Sequence, residues 1–300
     1  MKLRDWLLFL GCALIWGTSF LFIKIAVADV SPYVLVVFRV FFAVVATLIM
    51  MRIYHSKIPR KPRYIWIFAV LGLLNVAIPF ILISTAEESI PSGMASIMNS
   101  TVPLFTLVIA SVFLKEERAT WLQSLGLLIG FGGIVVLMSD RLVGGFNAPL
   151  RGLIFMLIAA LCYATSLIFA RKFLKGDDPV IQSLGQMVWA MLFVSTAALT
   201  QDPTFRFPSQ PITWVLLIVL GLVNSGLANL LYYSLLNSVG PTRTVLVSYA
   251  FPLIAVLLGV IILNEPFGWR QIFGGLLIIG GVIWVNSTRK WTISIKARGS

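Results

Sequence analysis

The chain has 300 residues, of which 59% are hydrophobic and 11% are charged, and its mean hydropathy is +0.98. Soluble domains contain roughly 25% charged residues, so this composition excludes an ordinary soluble protein and predicts a chain surrounded by lipid. A net charge of +12 is compatible with nucleic-acid binding. The basic residues lie mainly between apolar segments, however, so we predict that they reflect membrane topology and that no nucleic acid is bound.

Ten apolar segments are long enough to cross a bilayer as helices. A helix needs about 20 residues for this, at about 1.5 Å per residue. The apolar runs are continuous, which favours helices over the alternating strands of a barrel. The predicted spans are residues 6–27, 32–53, 64–84, 92–114, 119–139, 150–171, 180–200, 212–235, 243–263 and 268–287.

The first span also has features of a cleaved signal peptide. Lys2 and Arg4 precede an apolar run that ends in "AVAD" at residues 26–29, and a basic start with small residues at the end is typical of such signals. The run is longer than a usual signal core, and an internal segment repeats it. We therefore expect it to be retained as a membrane helix.

The basic residues are distributed unequally between the two sides that alternating spans define. With the N-terminus in the cytoplasm, 17 Lys and Arg residues lie on the cytoplasmic side and 4 on the outer side, while Lys24 and Arg39 lie within helices. A cytoplasmic excess is the rule for membrane proteins. We predict a multi-pass protein of the inner (plasma) membrane with both termini in the cytoplasm.

The second half of the sequence repeats the first. The matched pairs at a shift of 147 residues include Thr18 with Thr165, Ser19 with Ser166, Lys24 with Arg171 and Arg39 with Gln186. The matched pairs at a shift of 149 residues include Asn75 with Asn224, Pro103 with Pro252 and Glu116 with Glu265. We predict two five-helix repeats, at residues 1–142 and 143–290, followed by a cytoplasmic tail at 291–300.

Five is an odd number, so the second repeat must enter the membrane in the opposite direction to the first. Inverted repeats are typical of secondary transporters, in which two similar halves exchange roles as the protein opens to one side and then the other. The fold class is therefore predicted as an all-α membrane protein with ten helices in two inverted repeats. A duplication that left only a non-transporting scaffold is the alternative.

Hydroxyl residues lie deep inside two matched spans, "LIWGTSFLFIKI" (14–25) and "LCYATSLIFARK" (161–172). Thr18 lies about 18 Å from the start of its span, close to the membrane midplane. Hydroxyl residues at this depth also join helices or bond to their own helix backbone. Their placement in both repeats favours a shared central site that includes Thr18, Ser19 and Ser166.

Asparagine residues occur within three other spans. Asn75 belongs to the third, Asn99 to the fourth and Asn229 to the eighth. Amide side chains are costly against lipid, so we expect these faces to point into the bundle or a wet cavity. The sequence leaves open whether they contact a substrate or only one another.

Two prolines occupy matched positions within the fourth and ninth spans. Pro103 and Pro252 each remove a backbone hydrogen bond, so both are predicted hinges. Freed carbonyl groups can bind ligand in transporters. A simple packing kink explains the same residues equally well.

Four charged residues within or beside the spans have both functional and structural interpretations. Arg39 is available for a substrate carboxylate, or it pairs with Glu87 or Glu88 to fix helices. Lys24 is long enough to reach the membrane surface. Glu116 and Glu265 are expected to cap the helices that follow them.

No residue pattern supports an enzyme. The only histidine, His55, lies in a basic loop, which excludes an intramembrane Ser-His pair or a histidine metal site. No phosphate-binding loop is present. Cys12 and Cys162 lie in apolar runs, so we expect free thiols. We predict no catalytic residue, no metal and no cofactor.

Several segments together resemble the drug/metabolite transporter superfamily, and within it the EamA-type exporters. These are "ALIWGTSF" (13–20), Arg39 in the second span, the Pro103 helix that runs into "LKEE", and "GLLIGFGGIVV" (126–136). The resemblance covers residues 5 to about 287. The second repeat has Tyr163 and Ala164 where the first has a Trp-Gly pair.

This resemblance implies a central cavity that opens alternately to each side and the export of small metabolites, commonly amino acids. Aromatic residues such as Tyr232 are expected to enclose an aromatic side chain or a cation. The predicted substrate-binding residues are Trp16, Thr18, Ser19, Arg39, Asn75, Asn99, Tyr163, Ser166, Trp189, Asn229 and Tyr249. The alternatives are a flippase for lipids or polyprenyl carriers and a non-transporting scaffold. Helices five and ten lack a polar face, so we expect them to buttress the halves or form a homodimer.

Overall fold

A computed structural model shows how these segments fold. The residues that it describes are 3–57, 62–113, 120–142, 148–174, 177–202, 205–239 and 247–298. All regular secondary structure within these ranges is helical. Seven helices are long and apolar enough to cross a membrane, and shorter apolar stretches lie at Trp121–Val136, Ala250–Leu263 and Trp269–Trp284.

Ten helices follow one another along the chain, as predicted. The first five are α1 (Leu3–Ala26), α2 (Pro32–Ile53), α3 (Arg63–Glu87), α4 (Ser92–Phe113) and α5 (Trp121–Leu142). The second five are α6 (Ala148–Phe173), α7 (Pro179–Gln201), α8 (211–239), α9 (Val247–Leu263) and α10 (Trp269–Arg298). Helix α10 continues beyond its predicted end, through most of the predicted tail.

Alternating helices place both ends of the chain on one face of the bundle, which we call the terminal face. The opposite face, the distal face, carries the segments 27–31, 88–91, 205–210 and 264–268. Helix α2, which begins at the first of these segments, has two local start signals. The Ser31 hydroxyl accepts a hydrogen bond from Val34 N at 3.2 Å, and Pro32 occupies the first turn of α2. Both features are typical of helix N-termini.

Helices α3 and α8 each contain a π-helical segment, at Gly72–Ala77 and Leu220–Leu227. Gly72 and Gly221 are repeat partners, and so are Asn75 and Asn224. A π segment widens the helix locally and is frequent at functional sites. The two repeats therefore share an irregularity that periodicity alone does not reveal.

The helix contacts at these segments confirm the inverted repeat. A Cβ atom added to Gly72 would lie 2.7 Å from Gln186 O and 2.9 Å from Ala190 N, whereas one added to Gly221 would lie 2.7 Å from Arg39 O and 3.1 Å from Ala43 N. Arg39 and Gln186 are repeat partners, as are Ala43 and Ala190. Thus α3 packs on α7 through Gly72 as α8 packs on α2 through Gly221, so the two inter-repeat contacts are equivalent.

Helix α4 is interrupted just before Pro103, where one helical segment ends at Asn99 and the next begins at Val102. The Ser100 and Thr101 hydroxyls donate to Ile97 O at 2.6 Å and Met98 O at 2.7 Å, so they occupy carbonyls near the break. Pro252, the repeat partner of Pro103, lies inside a continuous helix. The two predicted hinge positions therefore differ, and only the first coincides with a break.

Helices α5 and α10 pack closely against each other. A Cβ atom at Gly281 would lie 2.5 Å from Gly126 O and 2.6 Å from Gly130 N, and one at Gly133 would lie 2.6 Å from Gly274 O. Small residues permit such backbone contact between membrane helices. The glycine faces are thus used within one chain, and a homodimer through these helices would have to use the outward apolar side chains.

Candidate functional site

Three polar side chains from three helices form a hydrogen-bonded network inside the bundle. Asn75 of α3 donates from Nδ2 to Gln186 Oε1 of α7 at 2.9 Å. The Ser166 hydroxyl of α6 lies 2.9 Å from Asn75 Oδ1 and 2.8 Å from the Tyr163 carbonyl oxygen, and shares its proton between them. Gln186 and Ser166 are fully buried. The network joins the first repeat to the second.

Arg39 of α2 is buried beside this network. Its Nε donates to the Ser225 hydroxyl of α8 at 3.0 Å, and its guanidinium carbon lies 3.9 Å from the centre of the Phe80 ring. The predicted pairing with Glu87 is not formed, because both carboxyl oxygens of Glu87 are buried without a hydrogen-bond partner. Arg39 instead uses a hydroxyl and a ring face, which leaves most of its guanidinium donors available.

A second polar contact joins α1 to the π segment of α8. The Trp16 indole donates to Asn224 O at 3.2 Å, and Asn224 Nδ2 donates to Ile15 O. The Trp16 ring also contacts the Tyr232 ring, with centroids 5.3 Å apart. Asn224 Nδ2 therefore bonds to a main-chain oxygen and to the Thr18 hydroxyl at 3.5 Å, whereas its repeat partner Asn75 bonds to Gln186 and Ser166, so the two halves are not equivalent here.

The predicted hydroxyl residues divide into two groups. Thr18 donates to Ile15 O at 2.9 Å, and Thr165 donates to Leu161 O at 2.8 Å, so each bonds to its own helix. This is the structural alternative that the sequence left open. Ser166 belongs to the network, and Ser19 is buried in α1.

The remaining predicted residues are more dispersed. Asn229 donates to Ser225 O at 2.8 Å and so lies next to the residue that holds Arg39. Asn99 has a buried side-chain oxygen without a partner, at the break in α4. Trp189 stacks on Phe193 of its own helix. The side chain of Tyr249 lies outside the described part of the structure.

A cleft opens at the terminal face between α2, α7 and α8. Its volume is about 290 Å³, and its polar lining comprises Tyr54, Ser56, Asp178 and Ser234. A small enclosed space of about 10 Å³ adjoins its inner end and is lined by Thr47, Ser183 and Asn229 among others. The Ser183 hydroxyl has no hydrogen-bond partner there. Polar groups thus lead from the terminal face through Asn229 and Ser225 to Arg39.

Hydrogen bonds join the described segments of the distal face to one another. The Asp29 carboxylate accepts hydrogen bonds from the Ser209 hydroxyl and from the Ser209 and Gln210 amides, the latter two at 3.2 Å. The Ser31 hydroxyl donates to Asp202. These donors hold the pKa of the Asp29 carboxyl below its usual value. Four rings near these contacts pack against one another, namely Phe38, Phe205, Phe207 and Trp214, although Phe207 is 67% exposed.

Two charged residues bind main-chain groups of the distal face. Lys24 extends toward that face, where its ammonium donates to the main-chain oxygens of Glu87 and Ile90. Glu265 does not cap α10. Its carboxylate accepts from Ser92 N at 2.7 Å, from the Ser92 hydroxyl at 2.9 Å and from Gly93 N at 3.2 Å, so it caps α4 of the other repeat. Glu116 lies outside the described residues.

Several residues of this site were not among the predicted ones. Gln186 and Ser225 complete the hydrogen bonds of Asn75 and Arg39, and the repeat alignment of Arg39 with Gln186 was a usable signal for the first. Phe80 and Ser183 carry no distinctive sequence pattern. No group of three or more potential metal ligands occurs among the described residues, and Cys12 and Cys162 are free thiols, as expected.

Comparison with known proteins identifies the family. The model of the EamA-like transporter family matches residues 5–139 and 150–287, one match in each repeat. An uncharacterized transporter of Archaeoglobus fulgidus is 25% identical over 295 residues, which cover 96% of this chain and all of that protein. The uncharacterized inner membrane transporter YedA of Escherichia coli K12 is 26% identical over 82% of this chain and 78% of its own length.

A protein of known crystal structure has the same fold, with a TM-score of 0.67 over 95% of this chain and 98% of its own, at 20% sequence identity. The two family matches coincide with the two five-helix repeats, and the packing at Gly72 and Gly221 shows that these repeats are inverted. The chain is a multi-pass membrane protein that belongs to the EamA-like transporter family.

Proposed function

We propose that the protein exports small metabolites that carry a carboxylate, most of all amino acids, by alternating access around Arg39. The family membership makes it a transporter, and the substrate class and direction are the proposal. The terminal face, with both chain ends, is taken as the cytoplasmic side because of the excess of basic residues there.

The observation that carries the substrate class is the incomplete bonding of a buried cation. Arg39 is 6% exposed, and its only hydrogen bond to the described residues runs from Nε to Ser225. Its two terminal nitrogens, with four N–H donors, have the planar fork that matches a carboxylate in a bidentate pair. A buried cation without a counter-charge is costly, so an anionic ligand group would complete this site.

The surroundings of Arg39 support binding of an amino acid rather than a carboxylic acid that lacks an ammonium group. Asn229 and the Asn75 network supply amide and hydroxyl oxygens, which suit an ammonium group. The Phe80 ring contacts Arg39, and the Trp16 ring contacts Tyr232 and bonds to Asn224. These rings can enclose an apolar or aromatic side chain. These contacts favour a zwitterion with an apolar side chain.

The two faces of the bundle support an alternating cycle. The cleft between α2, α7 and α8 is open at the terminal face, whereas hydrogen bonds and rings close the distal face. Because the repeats are inverted, exchange of their roles would close the first and open the second. In the proposed cycle, this arrangement is the state that accepts substrate from the cytoplasm.

The test is a flux measurement in proteoliposomes. Purified protein is reconstituted, vesicles are loaded with one labelled amino acid at a time, and its release is followed. Each amino acid is paired with the amine that lacks its carboxylate, for example phenylalanine with phenethylamine. We expect release of the acid and none of the amine. Equal release of both, or no release of any amino acid by folded protein, would contradict the proposal.

A further inference from the structure

Glu87 ends α3 at the distal face, and its carboxyl group is entirely enclosed by protein. The residue is 0% exposed, and neither side-chain oxygen has a hydrogen-bond partner. An ionised carboxylate normally accepts several hydrogen bonds. A buried charge without them is so unfavourable that the group neutralises instead. In this closed state Glu87 is therefore a carboxylic acid that holds its proton.

The charged groups around Glu87 are arranged consistently with a neutral acid. Lys24 of α1 is nearby, but its ammonium is directed at the main-chain oxygens of Glu87 and Ile90 rather than at the carboxyl group. Arg39 of α2 interacts at longer range and is bonded to Ser225. Neither cation neutralises a carboxylate at Glu87 through direct contact.

A second acid strengthens this assignment. Glu265, between α9 and α10, interacts electrostatically with Glu87. The Glu265 carboxylate accepts hydrogen bonds from three donors at the start of α4. Two neighbouring carboxyl groups do not readily ionise together. Since Glu265 has the donors, Glu87 retains the proton. Arg151 of α6 interacts with the next residue, Glu88.

We propose that Glu87 is a proton-binding site and that closure of the distal face takes up one proton on its carboxylate. With the distal face open, water reaches the group, which loses its proton to that water and pairs as a carboxylate with the Lys24 ammonium. On closure, hydronium from the distal side returns the proton, and Lys24 moves to the carbonyl oxygens of Glu87 and Ile90. This role of Glu87 rests on the proposed alternating access, with the proton as the ion whose binding accompanies closure.

The consequence concerns how the transporter resets. An exporter must close its distal face after it has released substrate there, and this is the step that would take up the proton. Acid on the distal side therefore favours closure. Uptake of one proton can change the equilibrium constant for closure by at most about tenfold per pH unit. Since the same side supplies and receives the proton, this step responds to the pH of the distal side itself.

The experiment measures how accessible Val30 is to a thiol reagent. Val30 is buried, and its two neighbours make distal-face contacts: Asp29 binds the 205–210 segment and Ser31 binds Asp202. Cys12 and Cys162 are replaced by alanine, Val30→Cys is introduced, and a membrane-impermeant maleimide is applied from the distal side between about pH 8 and about pH 5. Each rate is divided by the rate for Ala28→Cys, an exposed position in the same segment. This ratio removes the intrinsic pH dependence of the thiol.

We expect the normalised labelling to fall as the pH falls, with a slope of up to about tenfold per pH unit. Glu87→Gln, a neutral group of the same shape, should keep labelling low at every pH. Glu88→Gln, the adjacent control, should respond as the wild type does. A flat wild-type profile, or an unchanged response in Glu87→Gln, would overturn the proposal.

A second variant leaves Glu87 intact. Lys24→Met removes the cation that pairs with the open-state carboxylate, so closure should occur at a higher pH, and an unmoved midpoint would count against the proposal. All labelling is done without substrate. A failed flux screen with an intact pH response thus rejects only the substrate assignment, and a flat response with working flux rejects only the proton site.

Discussion

Arg39 of the first repeat is held by Ser225 of the second, with Nε 3.0 Å from the hydroxyl oxygen. A buried cation therefore lies where the two inverted halves meet, and any exchange of their roles must change its surroundings. The same helix contact brings Gly221 against the Arg39 main chain. An anion bound at Arg39, as proposed above, would therefore contact the interface that alternating access has to move.

The first prediction concerns the charge of Arg39. Arg39→Gln should lower the apparent affinity for amino acids by about 10- to 100-fold, since a hydrogen bond to a charged group is worth about 1.5–3 kcal/mol. Arg39→Lys keeps the charge but loses the planar fork, so an intermediate loss is expected. The concentration dependence of flux measures both, and Arg151→Gln is the control. Normal affinity in Arg39→Gln would show that the residue only joins helices.

The second prediction concerns the glycines at the inverted helix contacts. Gly72→Ala and Gly221→Ala each place a Cβ atom against the backbone of the opposing helix, and such overpacking costs about 1–3 kcal/mol. Thermal unfolding in detergent should show lower stability for both. Gly132→Ala is the matched control, because its Cβ would meet nothing within 4 Å. Equal behaviour of all three variants would contradict the packing described.

The third prediction concerns the bond between Asn75 and Gln186. A double-mutant cycle with Asn75→Ala and Gln186→Ala should give a coupling energy of about 0.5–1.5 kcal/mol, the usual net value of one hydrogen bond. The free energy of unfolding is measured for both single variants and the double variant. The Thr196 hydroxyl of α7, the helix of Gln186, donates to the main-chain oxygen of Leu192. The effects of Asn75→Ala and Thr196→Ala on the free energy of unfolding should therefore be additive.

The fourth prediction concerns Asp29 at the distal face. Asp29→Asn removes the charge that the Ser209 and Gln210 donors stabilise, so labelling of Val30→Cys should become faster at pH 7. Because the pKa of Asp29 is lowered in the folded chain, its contacts are fully present above the ordinary carboxyl value of about 3.9 and are lost as the pH falls through the lowered pKa. Acid therefore breaks the contact of Asp29 with Ser209 and Gln210 only at a pH below the range in which Glu87 is expected to respond.

The control for this prediction is Asp178→Asn, which alters a helix N-cap at the terminal face. It should leave labelling of Val30→Cys unchanged. Faster labelling in both variants would indicate a general loss of stability rather than the opening of one face.

The fifth prediction concerns the path from the cleft to Arg39. Ser183→Phe should block it, because the Ser183 hydroxyl faces an enclosed space of only about 10 Å³. We expect loss of flux with normal expression and unfolding temperature. Thr196→Phe, on the lipid-exposed side of the same helix, is the control and should transport normally. Normal flux in Ser183→Phe would place the path elsewhere.

Much of the fold was predictable because the relevant signals are local. Apolar length alone located the ten helices, and the pairing of Asn75 with Asn224 and of Pro103 with Pro252 revealed the two repeats. The interruption at Asn99 and the two π segments were not predictable, since they depend on how helices pack. For the same reason Glu265 was assigned to the wrong helix and the partners of Lys24 were not foreseen: both residues bind groups that are distant in the chain.

The sequence by itself determined that this protein crosses the membrane ten times as two inverted halves, because helix length, hydropathy and internal repetition are properties of the chain alone. Only the tertiary structure decided which polar residues satisfy each other and which stay unbonded. Ser166 meets Asn75 across 91 residues, and Asn224 meets Ile15 across 209. Such partners depend on the approach of helices, and the unbonded groups of Arg39 and Glu87 become visible only after that approach is known.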